Sequence, residues 1–205
     1  DFQALQNTQV VALTTAQVNA LTTEQVNGLL LSQISAMEQV DLAAMTSTNV
    51  QALSSSQLNA LTFSQVSNLT TAFLNALTTE QISSLKAANI TAMTPTQLIN
   101  LSTDNLAALR SDQIQAIKLS NLAALTTAQV VSLTTDQAQA LTGLQVAVLT
   151  TSQVAVLTTD QIQAIDTADV AVMTVDQLNA LSTTQTQGLL TQQVASLTVT
   201  QLGNL

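Results

Sequence analysis

Apolar and polar residues recur along the chain with a period of eight residues. We count Leu13 as position 1 of an octad. Position 1 then holds Leu, Met or Ile in every octad, and position 6 holds Val, Ile or Leu in nearly all of them. Position 8 is mostly small, and positions 2 to 5 commonly read Thr-Thr-x-Gln. No insertion or deletion breaks the count from Leu5 to Leu205. The chain is therefore a tandem repeat, built from one small unit stacked on itself.

The polar half of the octad predicts the start of a helix. In a capping box, a Thr hydroxyl accepts from the backbone N–H three residues on, and a Gln at that place reaches back to the Thr N–H. The pairs that we predict to cap in this way include Thr14 and Gln17, Thr22 and Gln25, Thr78 and Gln81, and Thr158 and Gln161. Pro95 falls at position 3, the first helical position, where its missing N–H costs nothing. Each octad therefore predicts a helix of about six or seven residues.

The fold class that follows is all-α, a solenoid or superhelix of short capped helices with one helix per octad. A single continuous helix does not fit, because eight residues at about 100° each overshoot two turns by about 80° and the apolar stripe would wind around it. A β-solenoid is the alternative, since Val, Ile and Thr suit strands. We favour helices because glycine, which tight β-coils commonly need, occurs only four times. We expect two or three octads per turn.

The apolar positions predict a core that runs along the array. Positions 6 and 1 are three residues apart and share a helical face. The residues that exemplify this core are Leu13, Val18, Leu21, Val26, Leu125 and Val130. Phe63 and Phe73 stand at otherwise polar positions, so we expect them to be exposed. They are either ordinary scattered apolar residues of the surface or candidate contacts between rods. We predict that residues 1–205 form a single continuous array, itself part of a longer array or fibre.

The composition leaves few residues that could catalyse a reaction or bind a metal. The chain has no Cys and no His, and it has 12 acidic residues against three basic ones. We therefore predict no catalytic residue, no cofactor and no metal site. The closest acids, Asp160, Asp166 and Asp169, lack the alternating spacing of a calcium loop. A net charge of −9 argues against nucleic acid as a partner, and no apolar run is long enough to span a membrane.

Runs such as Ala12–Val18 and Ala124–Val130 read Ala-Leu-Thr-Thr-Ala-Gln-Val. They resemble the Ala-Leu-Thr-Thr-x-Gln-Val/Ile repeats of very large secreted bacterial surface proteins, which are adhesin-like and often labelled as haem-utilisation proteins. The resemblance implies a structural protein of the cell surface or the extracellular space. The haem label has no support here, since the chain has no His, Cys or Tyr to ligate iron.

The leading hypothesis is a non-enzymatic structural protein that forms a bacterial surface or extracellular filament, adhesin stalk or matrix fibre by self-assembly, end to end or laterally. An alternative is a protein-binding solenoid module, whose partners would be other surface proteins or matrix. It predicts a face of non-consensus residues, namely Phe63, Phe73, Lys86, Arg110 and Lys118. A remote alternative is ice binding by rows of Thr.

Overall fold

A computed structural model describes residues 4–203, which contain 25 short α-helices of four to six residues each. One helix falls in each octad, so the prediction of an all-helical repeat is confirmed. The β-solenoid alternative has no support, because no residue within 4–203 lies in a strand. The longest helices fill positions 3 to 8 and leave positions 1 and 2 to the corner between successive helices. The other helices are shorter than predicted because they end at position 6 or 7.

The chain divides into two compact units, the first ending at Ala108 and the second beginning at Leu109. The helices of the first unit are α1 (Asn7–Val11), α2 (Thr15–Asn19), α3 (Thr23–Asn27), α4 (Leu31–Ala36), α5 (Gln39–Ala44), α6 (Ser47–Ala52), α7 (Ser55–Leu58), α8 (Phe63–Ser67), α9 (Thr71–Ala76), α10 (Thr79–Ser84), α11 (Ala87–Ala92), α12 (Pro95–Ile99) and α13 (Thr103–Ala107).

The helices of the second unit follow the same rhythm. They are α14 (Ser111–Gln115), α15 (Leu119–Leu122), α16 (Thr127–Ser132), α17 (Thr135–Ala140), α18 (Gly143–Ala147), α19 (Thr151–Val156), α20 (Thr159–Ala164), α21 (Thr167–Val170), α22 (Val175–Asn179), α23 (Thr183–Gln187), α24 (Thr191–Ser196) and α25 (Val199–Leu202).

Each corner is made by extended backbone and needs no glycine. After α16, Leu133 has φ −59° and ψ 136°, and the N-cap residue that opens that helix, Thr126, has φ −69° and ψ 155°. No residue in the described range has a positive φ. A corner of this kind suits ordinary L-residues, which explains why the repeat turns so often with so few glycines.

Within each unit, a helix packs on the third helix along the chain. In the first unit α1 packs on α4, α2 on α5 and α8 on α11; in the second, α14 packs on α17, α17 on α20 and α18 on α21. Three octads therefore make one turn, the upper of the two values we expected. This regular packing gives each unit a solenoid-like helical repeat architecture.

The apolar positions fill the interior of each unit. Val18, Val26 and Val130 are completely buried at position 6, and Leu21 and Leu125 at position 1 are 6% and 4% exposed. Leu13, also at position 1, is only half-buried. A two-turn helix is unstable alone in water, so this shared interior is what keeps the helices folded.

Candidate functional site

In octads with Thr at position 2 and Gln at position 5, the two residues bond to each other across the first turn of the helix. Before α2, Gln17 N–H donates to Thr14 Oγ1 at 3.3 Å, and Thr14 N–H donates to Gln17 Oε1 at 2.8 Å. The same reciprocal pair joins Thr22 to Gln25, Thr78 to Gln81 and Thr158 to Gln161. Two backbone N–H groups that a helix start would otherwise leave unpaired are satisfied in this way.

The other end of the Gln amide points away from its own helix, towards another turn. Gln81 Nε2 donates to Val50 O at 2.9 Å and to Leu53 O at 2.7 Å, 31 and 28 residues earlier. These two carbonyls end α6, where a helix leaves its last C=O groups without partners inside the helix. One amide therefore joins the start of its own helix to the end of the helix four places earlier.

We call this arrangement a corner clamp: a position-5 amide, the N-cap N–H of its own octad, and the carbonyls 31 and 28 residues earlier. The glutamines whose Nε2 donates to both carbonyls are Gln57, Gln65, Gln81, Gln97, Gln145, Gln153, Gln161, Gln177, Gln185 and Gln193. All ten are buried. At these positions the amides bond main-chain carbonyls, and they do not form the Gln ladders that stacked repeats can build.

The clamp persists where the Thr hydroxyl is missing. Leu30 and Leu190 occupy N-cap positions and have no side-chain acceptor, yet Leu30 N–H donates to Gln33 Oε1 at 2.7 Å and Leu190 N–H to Gln193 Oε1 at 3.0 Å. Gln33 Nε2 donates to Leu5 O at 2.7 Å. In these two octads Gln is kept at position 5 although the capping Thr is replaced. This pattern in the sequence indicates that capping is only part of the role of Gln.

Two clamps are built from a different pair of amides. Asn59, at position 7, donates through Nδ2 to Ser84 O at 2.9 Å and accepts from Lys86 N–H at 2.7 Å. Asn75, two octads later, donates to Asn100 O and accepts from Ser102 N–H in the same way. The octads whose N-cap N–H is taken by these residues carry Asn89 and Asn105 at position 5 instead of Gln. In these two octads a second side chain, Asn59 or Asn75, holds the N-cap N–H that the position-5 amide holds elsewhere.

Because Asn59 takes the Lys86 N–H, one buried hydrogen-bond acceptor in the first unit is left unsatisfied. Asn89 Oδ1 is buried without a hydrogen-bond partner, since Lys86 N–H is already bonded to Asn59. Asn89 also lines a cavity of about 10 Å³ together with Phe73 and Met93. A cavity of this size is at the lower limit for a water molecule.

Phe73 is the aromatic member of position 5, and its predicted exposure is wrong. Phe73 is 3% exposed, because position 5 points into the space between turns here, as it does for the buried Gln65 and Gln81. Only the Thr half of its capping box remains, with Phe73 N–H donating to Thr70 Oγ1 at 3.1 Å. A contact with another molecule through Phe73 is therefore excluded by burial. Phe63 is 61% exposed, as expected for position 3.

Two acids take the place of the clamp amide. Asp41 is 2% exposed; burial raises the pKa of its carboxyl, and the charge of Glu38 at the N-cap of the same octad raises it further. Asp169 is half-buried, and burial and then the charge of Asp166 raise its pKa. In both octads an acid also stands where Thr would cap.

Other charged groups stay near the surface at helix starts. The Arg110 guanidinium donates to Asp112 from Nε at 3.0 Å and from a terminal nitrogen at 2.9 Å, which lowers the pKa of that carboxyl. The backbone N–H of Glu80 and the Thr78 hydroxyl lower the pKa of the Glu80 carboxyl. Within residues 4–203, no three acidic, His or Cys residues come together as a metal site. No helix in that range is long and apolar enough to cross a bilayer.

Comparison with known proteins recovers the repeat itself. The family model of the ALTTAQ repeat matches residues 1–30, 34–71 and 162–199, together more than half of the chain. No curated protein matches the sequence. The matched stretches include octads with complete corner clamps, such as those of Gln57 and Gln193.

Proposed function

The chain belongs to the ALTTAQ repeat family, and from that premise we propose that it is a structural protein: a stretch of a bacterial cell-surface or extracellular filament, adhesin stalk or matrix fibre. The observation that carries the proposal is the corner clamp. The same buried amide joins one turn to the one before it in both units, through backbone carbonyls that every octad possesses. A unit held together in this way has no preferred length, which suits a spacer or a fibre.

The clamp also resists separation of the turns. Pulling one turn from the next breaks the hydrogen bonds from the amide to the two carbonyls and exposes the apolar core to water. Because water then takes the place of the lost partners, each broken bond costs a net of about 0.5–1.5 kcal/mol. Because this cost recurs at every clamp, the array gains mechanical stability without disulfides, and the chain has no Cys to form them.

We propose further that the protein is not an enzyme and that its main partner is another copy of itself. Support comes from the distribution of reactive groups: acids such as Asp104, Asp136 and Asp160 are exposed or half-exposed and lie in the first turns of helices, where the helix dipole stabilises them. Each turn offers amide donors to one side and carbonyl acceptors to the other, so two copies can extend one another by the same bonds.

Electron microscopy of the purified chain over a range of concentrations tests this proposal. We expect filaments of constant width that lengthen as the concentration rises, with sedimentation velocity showing matching growth in mass. Compact particles that stay monomeric at every concentration would contradict self-assembly. The far-UV circular dichroism of the same samples should be helical throughout, as a check that both units are folded.

A binding module is the second candidate, and one exposed pair favours it. Val40 and Phe63 are 60% and 61% exposed on α5 and α8, and those helices are joined by a bond from Gln39 Nε2 to Ser64 Oγ at 3.1 Å. Phe63→Ser should then reduce adhesion to a matrix-coated surface while filament growth and circular dichroism stay unchanged. Unaltered adhesion would remove this candidate.

A further inference from the structure

The corner that holds Asp41 differs from its neighbours in one chemical respect. Where other octads place an amide that donates hydrogen to carbonyls, this octad places an acid, Asp41, and the residue is 2% exposed. By the register of the repeat, the equivalent carbonyls are those of Val10 and Leu13, 31 and 28 residues earlier. An ionised carboxylate has no hydrogen to donate, whereas a protonated carboxyl has one.

On the described helices around Asp41, no positive charge compensates the carboxyl. The helix packed on α5 is α2, and neither α2 nor the flanking helices α4 and α6 carries a titratable residue. The same holds for α1, one turn below, and for α8, which bonds α5 through Ser64. Among the described residues, the charge that acts on the Asp41 carboxyl is the negative charge of Glu38.

We propose that Asp41 and Glu38 form a pH-sensitive corner, which holds its turn more tightly in acid than at neutral pH. In acid the protonated Asp41 carboxyl donates to the corner carbonyls as an amide does elsewhere. At neutral pH the ionised carboxyl lies buried beside a like charge and opposite acceptor oxygens, so α5 opens more readily. This inference concerns the isolated chain and stands apart from the proposed filament function.

The sign of the effect follows from linkage. The pKa of Asp41 is raised above its ordinary value in the folded chain, so folding takes up a proton over the range between the two values. The stabilisation is fully present below the ordinary Asp pKa and is lost as the pH rises through the higher folded value. Asp112 and Glu80 have the opposite tendency, because a hydrogen bond from Arg110 lowers the pKa of Asp112 and backbone and Thr78 hydrogen bonds lower the pKa of Glu80.

The second unit has an equivalent corner. Asp169 and Asp166 stand exactly 16 octads after Asp41 and Glu38, and burial and a neighbouring acid act on Asp169 in the same direction. Gly143 makes room for it, because a Cβ at that residue would lie 2.9 Å from Asp169 Oδ1. The same behaviour, weaker because Asp169 is less buried, is expected there.

Hydrogen exchange of the whole chain, followed by mass spectrometry between pH 4.5 and 7.5, tests the proposal. Peptides covering residues 38–45 should show slower opening in acid after correction for intrinsic exchange, and Asp41→Asn should lose that pH dependence. The variant is expected to fold, because Asn49 in the next corner already donates from Nδ2 to Leu21 O at 2.7 Å. Asp104→Asn makes the same change of charge at an exposed residue of the same unit and should keep the wild-type response.

Two results would overturn the proposal. One is wild-type opening of residues 38–45 that does not change with pH, which needs no variant to fold. The other is a pH response that survives in Asp41→Asn and also in Asp41→Gln, which would assign it to the general loss of net charge in acid. Glu38→Gln should reduce the response without abolishing it, since burial remains the larger cause of the raised pKa.

Discussion

At the scale of the residue, the side chain at position 5 performs two tasks with one amide. Its oxygen accepts the N–H that begins a helix, and its nitrogen donates to the carbonyls that end another. Gln161 shows both, with Thr158 N–H at 2.8 Å and Val130 O and Leu133 O at 3.0 and 2.6 Å. The amide is buried and fully bonded, which is the condition under which a polar group stabilises an interior.

Gln161→Ala should therefore be costly. It leaves the Thr158 N–H and two buried carbonyls without their partner, so we expect the free energy of unfolding to fall by about 3 kcal/mol. Gln115→Ala removes an amide of the same kind from an exposed position in the same unit and should change stability by less than about 0.5 kcal/mol. Urea unfolding followed by circular dichroism measures both. Equal stability of the two variants would show that the clamp contributes little.

The exchange between Asn59 and Asn89 predicts a coupling. Asn59→Ala frees Lys86 N–H and Ser84 O, and Asn89→Gln then supplies an oxygen long enough to accept from Lys86. The double variant should be more stable than the sum of the two single effects predicts, by about 1 kcal/mol. A double-mutant cycle in urea gives this value directly. Strict additivity would mean that the two amides act independently.

At the scale of the element, no helix here is long enough to be stable alone. Helices of four to six residues have few internal bonds, and isolated helices below about 12 residues are marginal in water. Capping offsets part of this deficit at each start. The unit of structure is therefore the helix together with its two corners, and the residues that matter most for it are the cap and the clamp.

Substitutions at Thr150 and Thr151 distinguish the loss of a capping hydroxyl from the mere loss of a Thr side chain. Thr150 Oγ1 accepts from Gln153 N–H at 3.1 Å, whereas Thr151 follows it as the first helical residue; both side chains are exposed. Thr150→Ala should lower the free energy of unfolding by about 1 kcal/mol. Thr151→Ala should change it by less than about 0.5 kcal/mol. Thermal unfolding of the two variants compares them, and a larger loss in Thr151→Ala would contradict the assignment of the cap.

At the scale of the molecule, stability in each unit is a sum over similar junctions. Most octads contribute similar core residues, a cap and a position-5 amide, and within each unit helices three apart along the chain pack on one another. In such repeats stability depends on nearest-neighbour terms rather than on a single closed core. The register of eight residues matters more than the identity of any one of them.

Deletion tests the register. Removing Leu133–Val156 takes out three complete octads, one turn of the second unit, and leaves the remaining donors 28 and 31 residues after carbonyls of the same kind. We expect unchanged helicity per residue and cooperative unfolding with a smaller enthalpy. Removing Leu133–Ser152 instead interrupts the period and should cost most of the helicity of this unit. Circular dichroism and calorimetry distinguish the two, and equal tolerance of both deletions would refute the dependence on register.

The sequence was sufficient for the local part of this structure. The period, the Thr and Gln signals and Pro95 place the helix starts, and the Leu and Val columns identify the interior, because capping and amphipathicity act between residues close in the chain. Three octads per turn, the buried carbonyl partners of Gln81 and the burial of Phe73 depend on residues 24 to 31 positions apart. These sequence separations are set by how the turns stack. An eight-residue pattern looks the same for any number of octads per turn, so the pattern does not reveal which residues face each other.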